Sequence, residues 1–216
     1  MSLRVICLLG EGFEDSEFRV PYDRLREAGV VVDVVGAKPG EKLSGYKRRE
    51  TVKTDRGIDD VHANDYAALL IPGGQSPDHL RADPRFVEFV QKFDATGRPV
   101  AAVCHGPQLL MAAHLVRGRT LTAWKTVQDD LGQMGAHVED RPVVRDRNWI
   151  TSRQPSDLDA FSDALLNALG LAPASSQLDD EPTEEEVRTA DERAARNAGD
   201  EPILQAQGTT DPQAVN

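Results

Sequence analysis

A chain of 216 residues is long enough for one domain with a full hydrophobic core, and its composition, 39% hydrophobic and 28% charged, is typical of a soluble globular protein. No segment approaches twenty apolar residues, and the apolar run that begins at Leu3 is too short for a signal peptide. We therefore expect neither a membrane-spanning nor an exported protein. Cys7 and Cys104 are the only cysteines and no Cys/His ligand spacing occurs, so we expect a cytoplasmic protein with no disulfide framework, no metal and no cofactor.

The net charge of −11 is distributed unevenly along the chain. Residues 171–216 hold eleven acidic and three basic side chains, four prolines and no aromatic residue. Such a segment buries too little apolar area to offset its ordering entropy. We predict a largely disordered acidic tail with one helix near 183–197, which serves as a solubilising extension or as an interaction arm. Residues 1–170 form the folded domain, and their one basic run, Lys47 to Arg49, is too small to indicate a nucleic-acid partner.

Residues 1–170 alternate between apolar segments of strand length and amphipathic segments of helix length. Strands are predicted at 3–9, 30–35, 67–71 and 99–103, with shorter ones at 119–123, 136–139, 142–146 and 148–152. Helices are predicted at 16–28, 84–93, 105–115, 126–134 and 157–169, and an excursion with a hairpin at 38–60. Continuously apolar strands that alternate with helices are typical of a parallel sheet covered on both faces. The predicted fold class is therefore α/β, a flavodoxin-like three-layer sandwich with a mainly parallel central sheet.

Cys104 follows the small apolar run Val100-Ala-Ala-Val103 and precedes a predicted helix, which places it on a strand–turn–helix elbow. The N–H groups at the start of a helix favour an anion, so the sequence predicts a thiol pKa below its ordinary value and a nucleophilic cysteine. The alternative is a buried structural cysteine, because free cysteine is among the most buried residue types.

Two more loops leave the same edge of the predicted sheet as Cys104, at 10–17 and 72–78, and we expect all three loops to meet in one pocket. The first carries Glu14 and Glu17. A carboxyl group desolvated against a thiolate keeps its proton and donates a hydrogen bond to sulfur, although acids in a first helical turn also simply stabilise the helix dipole. The second loop carries Gly73 and Gly74, whose N–H groups suit an oxyanion hole or an ordinary turn.

His105 directly follows Cys104, and neighbouring side chains on such a turn are expected to point apart. His105 therefore needs an orienting acid in order to act as a base, and Asp78 is the candidate. Loop position also suggests four pocket-lining side chains that are equally compatible with packing: Phe13, Gln75, His79 and Trp124.

Five sequence motifs occur in the order and spacing of one family. They are Gly12-Phe-Glu-Asp-Ser-Glu17 with Pro21, Leu70-Ile-Pro-Gly-Gly74, Ala102-Val-Cys-His-Gly-Pro-Gln-Leu-Leu110, Gly118-Arg-Thr-Leu-Thr122 and Ile150-Thr-Ser-Arg-Gln-Pro-Ser-Asp157. The chain resembles the PfpI-type intracellular proteases, within the superfamily of class I glutamine amidotransferase-like folds that includes the parkinsonism-associated deglycase. The resemblance covers about residues 3–170 and leaves the acidic tail unexplained.

The resemblance implies a role for each candidate residue. Cys104 matches the family's nucleophile, and Glu17 matches the protonated glutamate that hydrogen-bonds it. Gly74, with the backbone at His105, matches the oxyanion-binding elements, and His105 itself matches the triad histidine. Asp78 stands where relatives of the protease branch present a glutamate from a neighbouring subunit, and its shorter side chain weakens the case for peptidase activity. The resemblance also implies a homodimer or a higher homo-oligomer.

Three functions follow as alternatives. The first is a cysteine-dependent stress-response hydrolase acting on carbonyl adducts, with deglycase or glyoxalase-type activity on small-molecule carbonyl compounds or glycated proteins and peptides. The second is an intracellular cysteine peptidase, and the third is a redox-sensing or holdase stress protein in which Cys104 is oxidised. Glutamine amidotransferase activity is disfavoured, because Ser152-Arg-Gln-Pro155 stands where that branch requires a His-x-Glu.

Overall fold

The computed structural model describes residues 2–171. The chain divides into two units after Ala174, and all described residues lie in the first. The predicted disordered tail and its helix near 183–197 lie outside the described residues. Within residues 2–171, no helix has the length and apolar character needed to cross a bilayer.

Eleven strands and six α-helices follow one another along the described part of the chain. The strands are β1 (Arg4–Leu8), β2 (Val31–Gly36), β3 (Lys42–Ser44), β4 (Thr51–Lys53), β5 (Arg56–Gly57), β6 (Ala68–Ile71), β7 (Val100–Val103), β8 (Thr120–Leu121), β9 (His137–Val138), β10 (Val143–Asp146) and β11 (Trp149–Ser152). The helices are α1 (Asp15–Glu27), α2 (Ser76–Arg81), α3 (Pro84–Asp94), α4 (Pro107–Ala112), α5 (Lys125–Gln133) and α6 (Leu158–Ala168).

Seven strands form one central sheet in the order β10-β11-β7-β6-β1-β2-β5. All neighbouring pairs in it are parallel except β10 and β11. Strands β1, β6 and β7 lie at the centre and are buried along almost their whole length, as their continuous Val, Ile, Leu and Ala runs require. One hydrophobic cluster packs on each face of this sheet, with α1 and α6 against one face and α2, α3, α4 and α5 against the other. The predicted α/β three-layer sandwich is confirmed.

The predicted elements match the observed ones closely, with two differences. The helix after Cys104 spans only six residues and begins at Pro107, rather than filling 105–115. The segment 72–78, predicted as a loop, runs into helix α2, which starts at Ser76. Proline at the second position of α2 supplies a preset backbone angle that helps so short a helix begin.

The excursion at 38–60 carries the predicted hairpin, formed by β3 and β4. Backbone hydrogen bonds fasten it to the loop after β1, from Gly12 N–H to Ser44 oxygen (2.9 Å) and from Tyr46 N–H to Phe13 oxygen (2.7 Å). The hairpin tip therefore lies at the same sheet edge as the loops that follow β1, β6 and β7.

Candidate active site

Cys104 lies on a tight elbow directly after β7, with a left-handed backbone angle φ of +60°. Such a conformation costs about 1–3 kcal/mol for a residue other than glycine, so its surroundings must hold it in place. The Cys104 N–H donates to Ser152 oxygen (3.0 Å), and its carbonyl accepts from Trp124 N–H (2.9 Å). A Cβ at Gly106 would lie 2.5 Å from Ile71 oxygen, so only glycine lets the turn pass this close to β6. The predicted strand–turn–helix elbow is present.

Glu17 occupies the first turn of α1 and is fully buried. Its Oε2 accepts a hydrogen bond from Gly73 N–H (2.9 Å), while Oε1 has no hydrogen-bond partner among the described residues. Burial raises the pKa of Glu17 to about 7, against the lowering effect of the neighbouring Cys104 thiol, and the negative charge of Glu14 adds to the rise. A carboxyl group with such a pKa holds a proton over much of the neutral range.

Gly73 fills the narrow space between Glu17 and the elbow. A Cβ there would lie 2.5 Å from Glu17 Oε2, 2.8 Å from His105 nitrogen and 2.9 Å from Cys104 Cβ. No larger residue fits without displacing the elbow, because two of these contacts involve atoms at or next to its backbone. The Gly73 backbone thus lies directly between the Glu17 carboxyl group and the turn formed by Cys104 and His105.

The electrostatics of the thiol differ from the sequence-based prediction. Burial and the carboxyl of Glu17 raise the pKa of Cys104, whereas the N–H groups of His105 and Gly74 lower it. Helix α4 spans only six residues and begins three residues after Cys104, so its dipole does not dominate as predicted. The raising effect of Glu17 reverses when Glu17 is protonated, because a neutral carboxyl group donates a hydrogen bond to a thiolate instead of repelling it.

His105 does not point away from Cys104 as predicted. Its Nδ1 lies 3.2 Å from Cys104 Sγ, within hydrogen-bonding distance for a thiol and an imidazole. The ring stacks on Trp124, with the ring centroids 6.3 Å apart. Burial lowers the pKa of His105, so the imidazole is neutral at pH 7 and can accept a proton.

Asp78 does not orient His105 within the same chain. It lies on α2 with an exposed side chain, and its Oδ1 accepts hydrogen bonds from Arg81 Nε (2.9 Å) and Nη2 (2.5 Å). Among the described residues no hydrogen bond joins Asp78 to the His105 ring, whose one side-chain partner is Cys104. A single chain therefore does not make this contact, and the expectation that Asp78 orients the His105 of a neighbouring subunit stays a prediction.

Glu14 caps the N-terminus of α1 and also forms an ion pair that the sequence analysis missed. Its Oε2 accepts from the N–H groups of Ser16 (2.8 Å) and Glu17 (3.1 Å), and its Oε1 lies 2.5 Å from Lys47 Nζ. Burial alone would raise the pKa of Glu14, but the hydrogen bonds from Lys47, Ser16 and Glu17 outweigh it and lower the pKa. Glu14 is therefore a fixed negative charge beside a carboxyl group that resists ionisation.

The three loops and the hairpin tip surround one cleft of about 780 Å³. Every predicted site residue except Gly73 lines it, together with three of the four pocket-lining candidates. The fourth, Phe13, is fully buried in the core and does not reach the cleft. The sequence analysis missed four lining residues: Tyr46, Lys47, Gln108 and Pro155. Within residues 2–171 no cluster of three or more His, Cys, Asp or Glu side chains is arranged to hold a metal ion.

Comparison with known proteins agrees with this architecture. The profile of the DJ-1/PfpI family matches residues 3–168. Protein/nucleic acid deglycase 2 of Escherichia coli is 45% identical over 171 residues, covering 79% of this chain and 99% of that protein. The putative cysteine protease YraA of Bacillus subtilis is 43% identical over 169 residues, covering 78% of this chain and 99% of that protein.

Solved structures show the same fold. A two-domain protein of Anabaena variabilis, with DJ-1/ThiJ/PfpI-like and ferritin-like domains, has a TM-score of 0.78 and 36% identity; the match covers 88% of this chain and 54% of that one. DJ-1beta of Drosophila melanogaster has a TM-score of 0.73 and 25% identity, covering 90% and 98% of the two chains. The chain described here belongs to the DJ-1/PfpI family.

Proposed function

We propose that this protein is a cysteine-dependent enzyme that acts on carbonyl adducts, with deglycase or glyoxalase-type activity on 2-oxoaldehydes. The observation that carries the proposal is the surroundings of Cys104, which faces a cleft with a buried carboxyl group, an imidazole and two backbone N–H groups around its sulfur. The relative named protein/nucleic acid deglycase 2, 45% identical, supports the same class of reaction.

The geometry favours one proton shared by Cys104 and Glu17, with that proton on Glu17. An ionised Glu17 would accept only one hydrogen bond, from Gly73 N–H, and its Oε1 would have no partner among the described residues. It would also be repelled by the nearby negative charge of Glu14. A thiolate at Cys104 receives the N–H groups of His105 and Gly74 and a hydrogen bond from the protonated carboxyl. The negative charge is therefore better solvated on sulfur, which makes Cys104 the nucleophile.

The reaction begins when Sγ of Cys104 forms a bond to the aldehyde carbon of a 2-oxoaldehyde. The carbonyl electron pair moves to oxygen, where the Gly74 and His105 N–H groups stabilise the charge and a proton completes the hemithioacetal. When the aldehyde is bound to an amine, Sγ replaces the nitrogen at the same carbon, and the released amine takes up the proton held by Glu17.

The later steps need only proton transfer and water. The proton on the carbon that carries sulfur moves to the neighbouring carbonyl carbon, and the hydroxyl proton moves to that carbonyl's oxygen, which turns the hemithioacetal into a thioester of a hydroxy acid. Water then cleaves the thioester, and the products are the hydroxy acid and the regenerated thiol. His105, neutral and 3.2 Å from Sγ, and Glu17 are the groups placed to carry these protons.

The test compares the two cysteines of the chain. Cys104→Ser should reduce methylglyoxal consumption, and lactate release from methylglyoxal-treated N-acetylarginine, to the uncatalysed rate. Cys7→Ala is the matched control, because Cys7 is fully buried in β1 outside the cleft and its replacement should leave turnover intact. Full activity in folded Cys104→Ser protein would overturn the proposal.

A cysteine peptidase is the second candidate, supported by the 3.2 Å contact between Cys104 Sγ and His105 Nδ1 and by the relative named as a putative cysteine protease. In this proposal a homodimer or higher oligomer supplies the acid that His105 lacks in its own chain, and Asp78 of a second copy accepts the hydrogen bond from the His105 ring. Arg81→Ala frees Asp78 from its partner and should then increase cleavage of fluorogenic peptides. A monomer by light scattering, or no cleavage of any peptide, would count against this candidate.

A further inference from the structure

The β3–β4 hairpin, which forms one wall of the cleft, is joined to the start of α1 by hydrogen bonds. The carboxylate of Asp15, the first residue of α1, accepts hydrogen bonds from three backbone N–H groups of the hairpin, at Lys47 (2.9 Å), Arg49 (2.9 Å) and Glu50 (2.7 Å). Asp15 is itself buried, so these bonds are protected from solvent. These hydrogen bonds therefore fix the backbone of Lys47 at the edge of the cleft.

Lys47 is the one lysine or arginine among the side chains that line the cleft in the described part of the chain. An ammonium group has three N–H donors, and the described residues take one of them, for Glu14 Oε1 at 2.5 Å. The Lys47 side chain is 48% exposed, so its remaining donors are accessible to a ligand. The cleft thus combines an accessible cation with a nucleophilic thiol.

Glu14 and Asp78, the other charged groups around the cleft, already have hydrogen-bond or ion-pair partners. Glu14 uses its second oxygen on the start of α1, and Asp78, which also lines the cleft, pairs with Arg81. A ligand that binds Lys47 can therefore share it with Glu14 without leaving either group unpaired. One ammonium beside a fixed carboxylate suits a group with a single negative charge, because Glu14 would repel a doubly charged phosphate.

We propose that Lys47 binds a carboxylate carried by the carbonyl substrate and so determines the specificity of the cleft for anionic compounds. This inference rests on the proposed function for the identity of the substrate, but the electrostatic preference of the cleft is a property of the folded protein alone. It can be measured on Cys104 whether or not the protein turns over any substrate.

The first experiment compares two alkylating agents that differ by one charge. Iodoacetate and iodoacetamide are applied to the full chain, and the rate of modification at Cys104 is followed by mass spectrometry. Lys47→Met should lower the iodoacetate-to-iodoacetamide rate ratio about fivefold, the effect of one partly screened charge. Lys92→Met is the matched control, because it breaks a Lys–Glu pair on α3 away from the cleft and should leave the ratio unchanged.

The same comparison in the Glu14→Gln protein separates direct binding by Lys47 from an indirect effect through Glu14. If Lys47 only neutralises Glu14, then Lys47→Met has no effect on the ratio once Glu14 is replaced by Gln, and the proposal is overturned. The proposal predicts that Glu14→Gln alone raises the ratio, because it frees Lys47, and that adding Lys47→Met lowers it again. Circular dichroism of each variant confirms that the fold is retained.

The third experiment uses two substrates that differ by the same charge. These are the methylglyoxal hemithioacetals of N-acetylcysteine and of N-acetylcysteinamide. The wild-type protein should show the lower KM for the carboxylate form, and Lys47→Met should abolish that difference in KM. Equal KM values in the wild-type protein would overturn the inference. No turnover of either compound would instead defeat the proposed function, and the alkylation ratio would still decide the role of Lys47.

Discussion

The replacement of Glu17 by Gln should change how the stability of the protein depends on pH. Glu17 is fully buried, and burial raises its pKa from 4.5 to about 7. In the unfolded chain the carboxyl loses its proton near pH 4.5, whereas in the folded protein it keeps it until near pH 7. Over this interval the folded state binds more protons, so the Glu17 contribution to the free energy of unfolding falls as the pH rises.

The size of the effect follows from the two pKa values. Between pH 5 and pH 8 the Glu17 carboxyl should lower the free energy of unfolding by roughly 2–3 kcal/mol. The amide introduced by Glu17→Gln cannot ionise, so the variant lacks this loss, and the amide keeps an oxygen able to accept the Gly73 N–H. Glu17→Gln should therefore become more stable relative to the parent protein as the pH rises.

The measurement is urea unfolding at pH 5 and pH 8, followed by circular dichroism. Both proteins carry Cys104→Ser, so that the thiol does not titrate alongside the carboxyl. Other titrating groups are common to the two proteins and cancel in the difference. A difference in stability between the parent protein and Glu17→Gln that is the same at both pH values, within about 0.5 kcal/mol, would refute the claim that Glu17 is protonated in the folded state.

Two further predictions concern the packing around the cleft. Gly73→Ala should lower the free energy of unfolding by about 1–3 kcal/mol and remove activity, because the new Cβ would lie 2.5 Å from the Glu17 carboxyl. Gly132→Ala on α5 is the control, because its Cβ would enter open space, and it should not lower the thermal unfolding temperature. Asp15→Ala should cost about 1–3 kcal/mol and speed hydrogen exchange at the three hairpin amides that lose their acceptor. Asp23→Ala, on the exposed face of the same helix, should leave that exchange unchanged, and slow exchange in both variants would contradict the account of the hairpin.

Much of the fold follows from local sequence pattern. Apolar runs at β1, β6 and β7 can be buried only in a covered parallel sheet, and this topology alone brings the loops after them to one edge. The positions of Cys104, Glu17 and the Gly73-Gly74 pair are therefore predictable from the sequence. Helix α2 was missed because six residues that follow a Gly-rich turn carry too weak a periodicity to be recognised.

The finer geometry of the site depends on contacts between distant residues. Lys47 was missed because its place at the cleft is decided by Asp15, whose carboxylate binds hairpin amides more than thirty positions away in the sequence. The basic run that contains Lys47 was visible, but nothing in the local pattern indicates where it docks. The ion pair of Asp78 is predictable from local spacing, because Arg81 lies three residues further along the same helix and forms hydrogen bonds with it.

The measurement that most directly tests the central claim is the pH dependence of Cys104 alkylation by iodoacetamide in wild-type protein and in Glu17→Gln. If the shared proton lies on Glu17, the wild-type midpoint falls below that of ordinary cysteine, about 8.5, and the variant midpoint is higher because an amide is a weaker donor to the thiolate. If the midpoint instead falls on replacing Glu17, the carboxyl is the ionised partner and raises the thiol pKa by repulsion. That result would contradict the assignment of Cys104 as the resting thiolate.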